Sequence, residues 1–131
     1  MLVNIEFTFN NKSSRDFNIK IKKSNHLSIP RKKLEFVEVQ GRTDNLIIDE
    51  GSREMLDVEI EAYMDCREED TYSYALRLDE WLNSSNGYQD LIFDDNTNLK
   101  AIFVGQINFN EIVNNFSEIL LQFKAYRESD L

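Results

Sequence analysis

The residue types that most often do chemistry are sparse in this chain. There is one histidine, His26, and one cysteine, Cys66, forty positions apart in unlike surroundings. Neither has a neighbouring Cys, His or acidic pattern at metal-ligand spacing, and a Cys-His pair has no local signature here. His26 therefore reads as an ordinary loop residue. Phosphate-cradling glycines, a nucleophile elbow, HExxH and CxxC are all missing. Carboxylates are abundant, which leaves a glycosidase-like pair as the one catalytic route that composition does not close. Yet Asp57, Glu59 and Glu61 alternate with apolar residues and read as the wet face of a strand. Asp94, Asp95 and Asn96 are adjacent, whereas a calcium loop places oxygen ligands at alternate positions with a distal Glu, so they form a turn. Trp81 could stack on a sugar, but its place in an apolar stripe makes it a core anchor. The expectation is no enzyme, no cofactor and no metal.

The elements that would position these residues are mostly strands. Leu56, Val58, Ile60, Ala62 and Met64 alternate with Asp57, Glu59, Glu61 and Tyr63, giving the cleanest strand in the chain. Burying the larger of these side chains is worth about 1.5–3 kcal/mol each, enough to fix which face points inward. Ile5, Phe7 and Phe9, then a turn over 10–14, then Phe17, Ile19 and Ile21 read as a hairpin. Lys22 to Lys33 is basic and irregular, with Pro30 marking a loop or an edge. Leu34 to Gln40 is apolar on both faces and suits a sheet interior. Tyr74, Ala75, Leu78, Trp81 and Leu82 make the stripe of one helix, about 71–85, capped by Asp70 or Thr71 and ended by Asn86-Gly87. Strands follow at 91–93, at 101–109 with Gly105 as a bulge, and at 119–126. The fold class is mainly β: an antiparallel β-sandwich with one packed α-helix, in a single domain over 1–131.

With 131 residues, 41% hydrophobic and 30% charged, the composition is that of a globular chain able to bury a core. The lone cysteine rules out an intrachain disulfide, and neither a signal peptide nor a membrane span is expected. A net charge of −9 argues against specific nucleic-acid binding. The charge is also polarised: residues 1–42 hold nine Lys/Arg and four Asp/Glu, net +5, and residues 43–131 hold six and twenty, net −14. Either two solvated faces or a basic surface meeting an acidic one on a neighbouring copy would account for this.

Between strands lies an irregular polar loop, 41–54, punctuated by Gly41, Asn45 and Gly51, where positive φ costs glycine or asparagine little. Leu46, Ile47 and Ile48 form a short apolar insert in it, read as a plug into the core or a contact for another subunit.

The order of features over about 30–126 resembles the N-terminal domain of the distal tail proteins of long-tailed bacteriophages. That family shows a strand, a G-R-x-G loop with an apolar residue soon after, an alternating strand, a helix ending in Trp-Leu and then L-x-F-x-D-D. Here these correspond to Gly41-Arg42 with Leu46, the strand from Leu56, Trp81-Leu82, and Leu91 with Phe93, Asp94 and Asp95; a terminal strand carries FKAY. The chain departs from the pattern at Asp44-Asn45, where relatives often carry glycine, and it stops at Leu131 where many relatives continue into a second domain. The resemblance implies a virion structural protein of a phage or prophage. It would be assembled in the bacterial host cytoplasm and located at the tail tip, as a hexameric ring joining the tail tube protein to the tip or baseplate proteins. It also implies Gly41, Arg42, Asp44, Asn45, Leu46 and Ile47 as a candidate oligomer-interface loop, and an acidic lumen through which DNA slides. The competing reading is a monomeric β-sandwich that binds a ligand or carbohydrate. That reading needs an aromatic platform, and Tyr63, Tyr72, Tyr88 and Tyr126, expected outside the core, are scattered in sequence.

Overall fold

The computed structural model describes residues 6–84, 86–113 and 116–128. In chain order its elements are β1 (Phe7–Phe9), β2 (Lys12–Ser13), a 3-10 turn (Ser14–Phe17), β3 (Ile19–Ser24), β4 (Lys32–Val37), β5 (Leu46–Arg53), β6 (Leu56–Asp65), α1 (Thr71–Asn83), β7 (Gln89–Phe93), β8 (Asn98–Val104), β9 (Asn110–Val113) and β10 (Phe116–Tyr126). Eight strands form one antiparallel sheet in the order β2-β1-β7-β8-β10-β6-β3, with β9 also on β10, while β4 and β5 pair with each other.

Alternation builds the body. The five apolar residues of β6 are all buried, and so are Ile119, Leu121, Phe123 and Ala125 on β10, its partner along the whole strand. The sheet then folds over this apolar face. Phe7 and Phe9 of β1 are three strands removed from β10 in the sheet order, yet their rings lie 6.4 Å and 5.0 Å from Phe123. This is a β-sandwich, and α1 is its lid. Tyr74, Leu78, Trp81 and Leu82 face the core, and Trp81 is the wedge. Its ring stacks on Phe17 at 4.2 Å and on Phe7 at 5.6 Å, and its Nε1–H donates to the Phe9 carbonyl at 2.7 Å. Trp81 is thus a core anchor, as its stripe position predicts.

The helix starts where Asp70 accepts a hydrogen bond from the Ser73 N–H at 2.7 Å, which holds the Asp70 carboxyl below its usual range. Replacing Asp70 with alanine removes the partner of that N–H and should lower the urea midpoint of unfolding. The helix stops at Asn83, with Ser84 as its cap, short of the expected 85; Ser85 lies outside the described residues.

Several expectations change. The predicted hairpin of 5–9 with 17–21 does not form. β1 pairs β2 and β7, while β3 crosses to the far end of the sheet beside β6; Ile5 lies outside the described residues. Left-handed Asn10 and Asn11 turn β2 back onto β1, and left-handed Asn18 (φ 58°) follows the 3-10 turn ahead of β3. The strand expected over 101–109 spans 98–104 and ends at Gly105 (φ +95°), which terminates it rather than bulging within it. Leu34 to Gln40 is not a sheet interior. Its partner is β5, which lies within the segment expected to be a loop, and the two strands leave the body together.

Candidate functional site

The two-stranded arm is the part of the molecule whose sequence and surroundings disagree most. Leu34, Phe36, Val39, Leu46, Ile47 and Ile48 are 37–59% exposed. Pairing places Phe36 opposite Ile47 and Leu34 opposite Asp49 on one face, and Val37 opposite Leu46 and Glu35 opposite Ile48 on the other. Because paired residues in an antiparallel ladder share a face, both faces of the ribbon are apolar. An apolar residue on each face of a solvated ribbon is a surface waiting for cover. The insert Leu46–Ile48 is therefore no plug into this chain's core. The arm is fixed at its root, where the Glu54 N–H donates to the Arg31 carbonyl at 2.7 Å and Arg53 donates to the Pro30 carbonyl at 2.8 Å.

The candidate interface residues come together at the tip. Gly41 has φ +85° at the reversal, and Arg42 grips Asp44 through two bonds of 3.2 Å and 2.8 Å. Gly51 also takes positive φ, +77°, whereas Asn45 does not, so the loop turns on glycine and on the Arg42–Asp44 clasp. Leu46 and Ile47 begin the return strand. What sequence reasoning missed is Phe36 on the facing strand. The missed signal was the two-faced apolarity of 34–40, assigned to a sheet interior.

His26 is not an ordinary loop residue. It is 3% exposed, its ring stacks on Phe93 at 3.7 Å, and its nitrogens meet Ser24 Oγ and Asp95 Oδ2 at 2.8 Å each. Ser, His and Asp in that order invite comparison with a hydrolytic relay. However, the adjoining cavity, about 420 Å³, is walled by His26, Leu27, Ser28, Thr97, Asn98, Leu99, Arg127 and Glu128, with Ser24 not among them. The Ser24 oxygen also accepts from the His26 backbone N–H at 3.3 Å. The cluster works as a clasp joining the β3–β4 loop to the turn after β7. Burial alone would raise the Asp95 pKa, but hydrogen bonds from His26 and Thr97 outweigh it and leave the carboxyl below its usual range. A depressed carboxylate contributes stability that is present above the unfolded value, near 3.9, and lost as pH falls through the folded one. The stability gap between the wild type and Asp95→Asn should therefore be constant at neutral pH and shrink below about pH 4, as urea unfolding at stepped pH would show. A gap that did not change with pH would remove Asp95 from the clasp.

The acidic excess has a place as well. Asp57, Glu59 and Glu61 project from β6 on the side opposite the core, as expected, and register puts Gln122 and Leu120 of β10 across from the two glutamates. With Glu118, Glu59 and Glu61 line a groove of about 460 Å³. Part of the charge polarity is met within the chain, because basic β3 lies beside β6 and Lys22 reaches Glu118 at 3.4 Å. Lys124 pairs with Asp57 at 2.5 Å. Among the described residues, no group of three or more His, Cys, Asp or Glu could hold a metal, and no helix is long and apolar enough to cross a membrane. Tyr88 and Tyr126, distant in sequence, meet at 5.1 Å, but edge to face, which is not a flat platform for a sugar.

No protein-family model and no curated protein matches the sequence. A solved structure does resemble the fold: SPP1 Dit (gp 19.1), presented as a paradigm of the hub adsorption apparatus in phages infecting Gram-positive bacteria. The likeness has a TM-score of 0.75 at 13% identity and covers 92% of this chain and 49% of that one. The chain thus spans about half the length of the protein it resembles.

Proposed function

We propose that this chain is a structural protein of a phage or prophage tail tip, forming one domain over 1–131. It would assemble as a hexameric ring that joins the tail tube to the tip or baseplate proteins and lets DNA pass. The observation that carries this reading is the likeness to the SPP1 hub protein over 92% of this chain. The arm supplies the physical means. A ribbon apolar on both faces is stable in water only as an exception, and a ring of identical copies offers it cover by a heterologous contact. Gly41, Arg42, Asp44, Asn45, Leu46 and Ile47 lie in that contact, with Phe36 beside them. The carboxylates of β6 and Glu118 give the ring an acidic surface that repels phosphates when turned to the lumen.

The test is the mass of the purified protein by light scattering behind size exclusion at several concentrations and two salt levels, with electron microscopy of the largest species. A six-copy ring with a central opening supports the reading. A strict monomer at the highest concentration would instead favour the monomeric binding module.

A further inference from the structure

The root of the arm holds a cavity of its own. A cavity of about 370 Å³ opens where the ribbon leaves the body, walled by Lys33, Gly51, Ser52, Arg53, Glu54, Met55 and Tyr126, with most of its wall apolar. Met55 is 37% exposed and Tyr88 beside it 47%, so the apolar surface continues past the cavity mouth. The charges at the two ends of the arm are opposite. The root carries Arg31, Lys32, Lys33 and Arg53 against Glu54, net +3, and the tip segment 35–47 carries Glu35, Glu38 and Asp44 against Arg42, net −2; Asp49 and Glu50 lie on the strand between. A tip cannot reach its own root. The two strands are paired from Lys32 with Arg53 to Val37 with Leu46, which makes the arm a stiff ribbon with its ends held apart.

From these observations we infer that the tip of one copy, led by Phe36 and Ile47, seats in the root cavity of a second copy. The contact is head to tail, because tip and root are different surfaces, and each copy both gives a tip and receives one. The apolar side chains fill the cavity, while the net negative tip and the net positive root attract each other. This inference rests on the reading of the arm as the ring contact, and adds to it the surface that receives the arm.

Mixing two defective chains tests it. A tip variant, Phe36→Asp with Ile47→Asp, keeps a sound root, and a root variant, Lys33→Glu with Met55→Asp, keeps a sound tip. Circular dichroism first confirms that each is folded; if the root double variant is not, Lys33→Glu alone, at an exposed position, takes its place. The expected result is that each variant alone runs as a monomer and that an equal mixture yields a dimer of one chain of each kind and nothing larger, because only one sound contact remains. A root variant that assembles like the wild type, or a mixture that stays monomeric, overturns the inference and leaves the ring reading standing. A wild type that stays monomeric at every concentration overturns both.

Discussion

Replacing Phe36 and Ile47 with aspartate should abolish self-assembly while leaving the body intact. The two side chains face each other on one side of the arm, each 59% exposed. Fully burying such a side chain is worth about 1.5–3 kcal/mol, and covering the exposed part about 1–2, so removing two weakens association by about 20-fold or more before the cost of burying carboxylates is added. The body should scarcely notice, because exposed substitutions usually stay within about 0.5 kcal/mol of neutral. Light scattering and urea unfolding on the same sample separate the two quantities. If the oligomer persisted at wild-type concentrations, the arm would not be the contact.

Replacing Trp81 with alanine should do the reverse and attack the body. The indole is held between Phe17 and Phe7, at 2% exposure, and its N–H satisfies the Phe9 carbonyl. Truncating so large a buried ring costs about 3–5 kcal/mol, a large share of the roughly 5–15 kcal/mol that keeps a domain folded. Trp81→Phe keeps most of the packing but loses the hydrogen bond to the Phe9 carbonyl, and should cost about 1 kcal/mol. Since Trp81 is the only tryptophan, circular dichroism rather than fluorescence must follow the unfolding. A midpoint equal to wild type for Trp81→Ala would mean that the helix is not the lid of the core.

The arm also gives the two candidate assignments of 46–48 a physical resolution. Leu46, Ile47 and Ile48 have the same composition whether they plug a core or meet a neighbour, since apolar side chains report only that water is unfavourable. Which surface removes them from water depends on where β4 and β5 are carried. Bonds at Pro30, Arg31, Arg53 and Glu54 tie the two strands to each other at the root, and along the arm Leu46, Ile47 and Ile48 stay exposed.

Much of the fold is local and was legible in the residues. The strand 56–64, the strand 119–126 and the helix with Asp70 at its head follow from periodicities of two and about 3.6 and from one cap, and each depends on neighbours within a few positions. The inward faces followed too, since alternation allows only one burial pattern. The tertiary structure alone decided pairing and destination. β3 joins β6 rather than β1 because β1 already has β2 and β7 as its neighbours. That His26 is a buried clasp requires Asp95, sixty-nine positions away, to converge on it together with Ser24 and Phe93. That 34–37 pairs with 46–49 and stays uncovered depends on a loop whose turn is set by Gly41 and by the Arg42–Asp44 clasp. Periodicity says which face avoids water; only the closed chain says what is there to cover it, because contacts between distant residues leave no trace in local spacing.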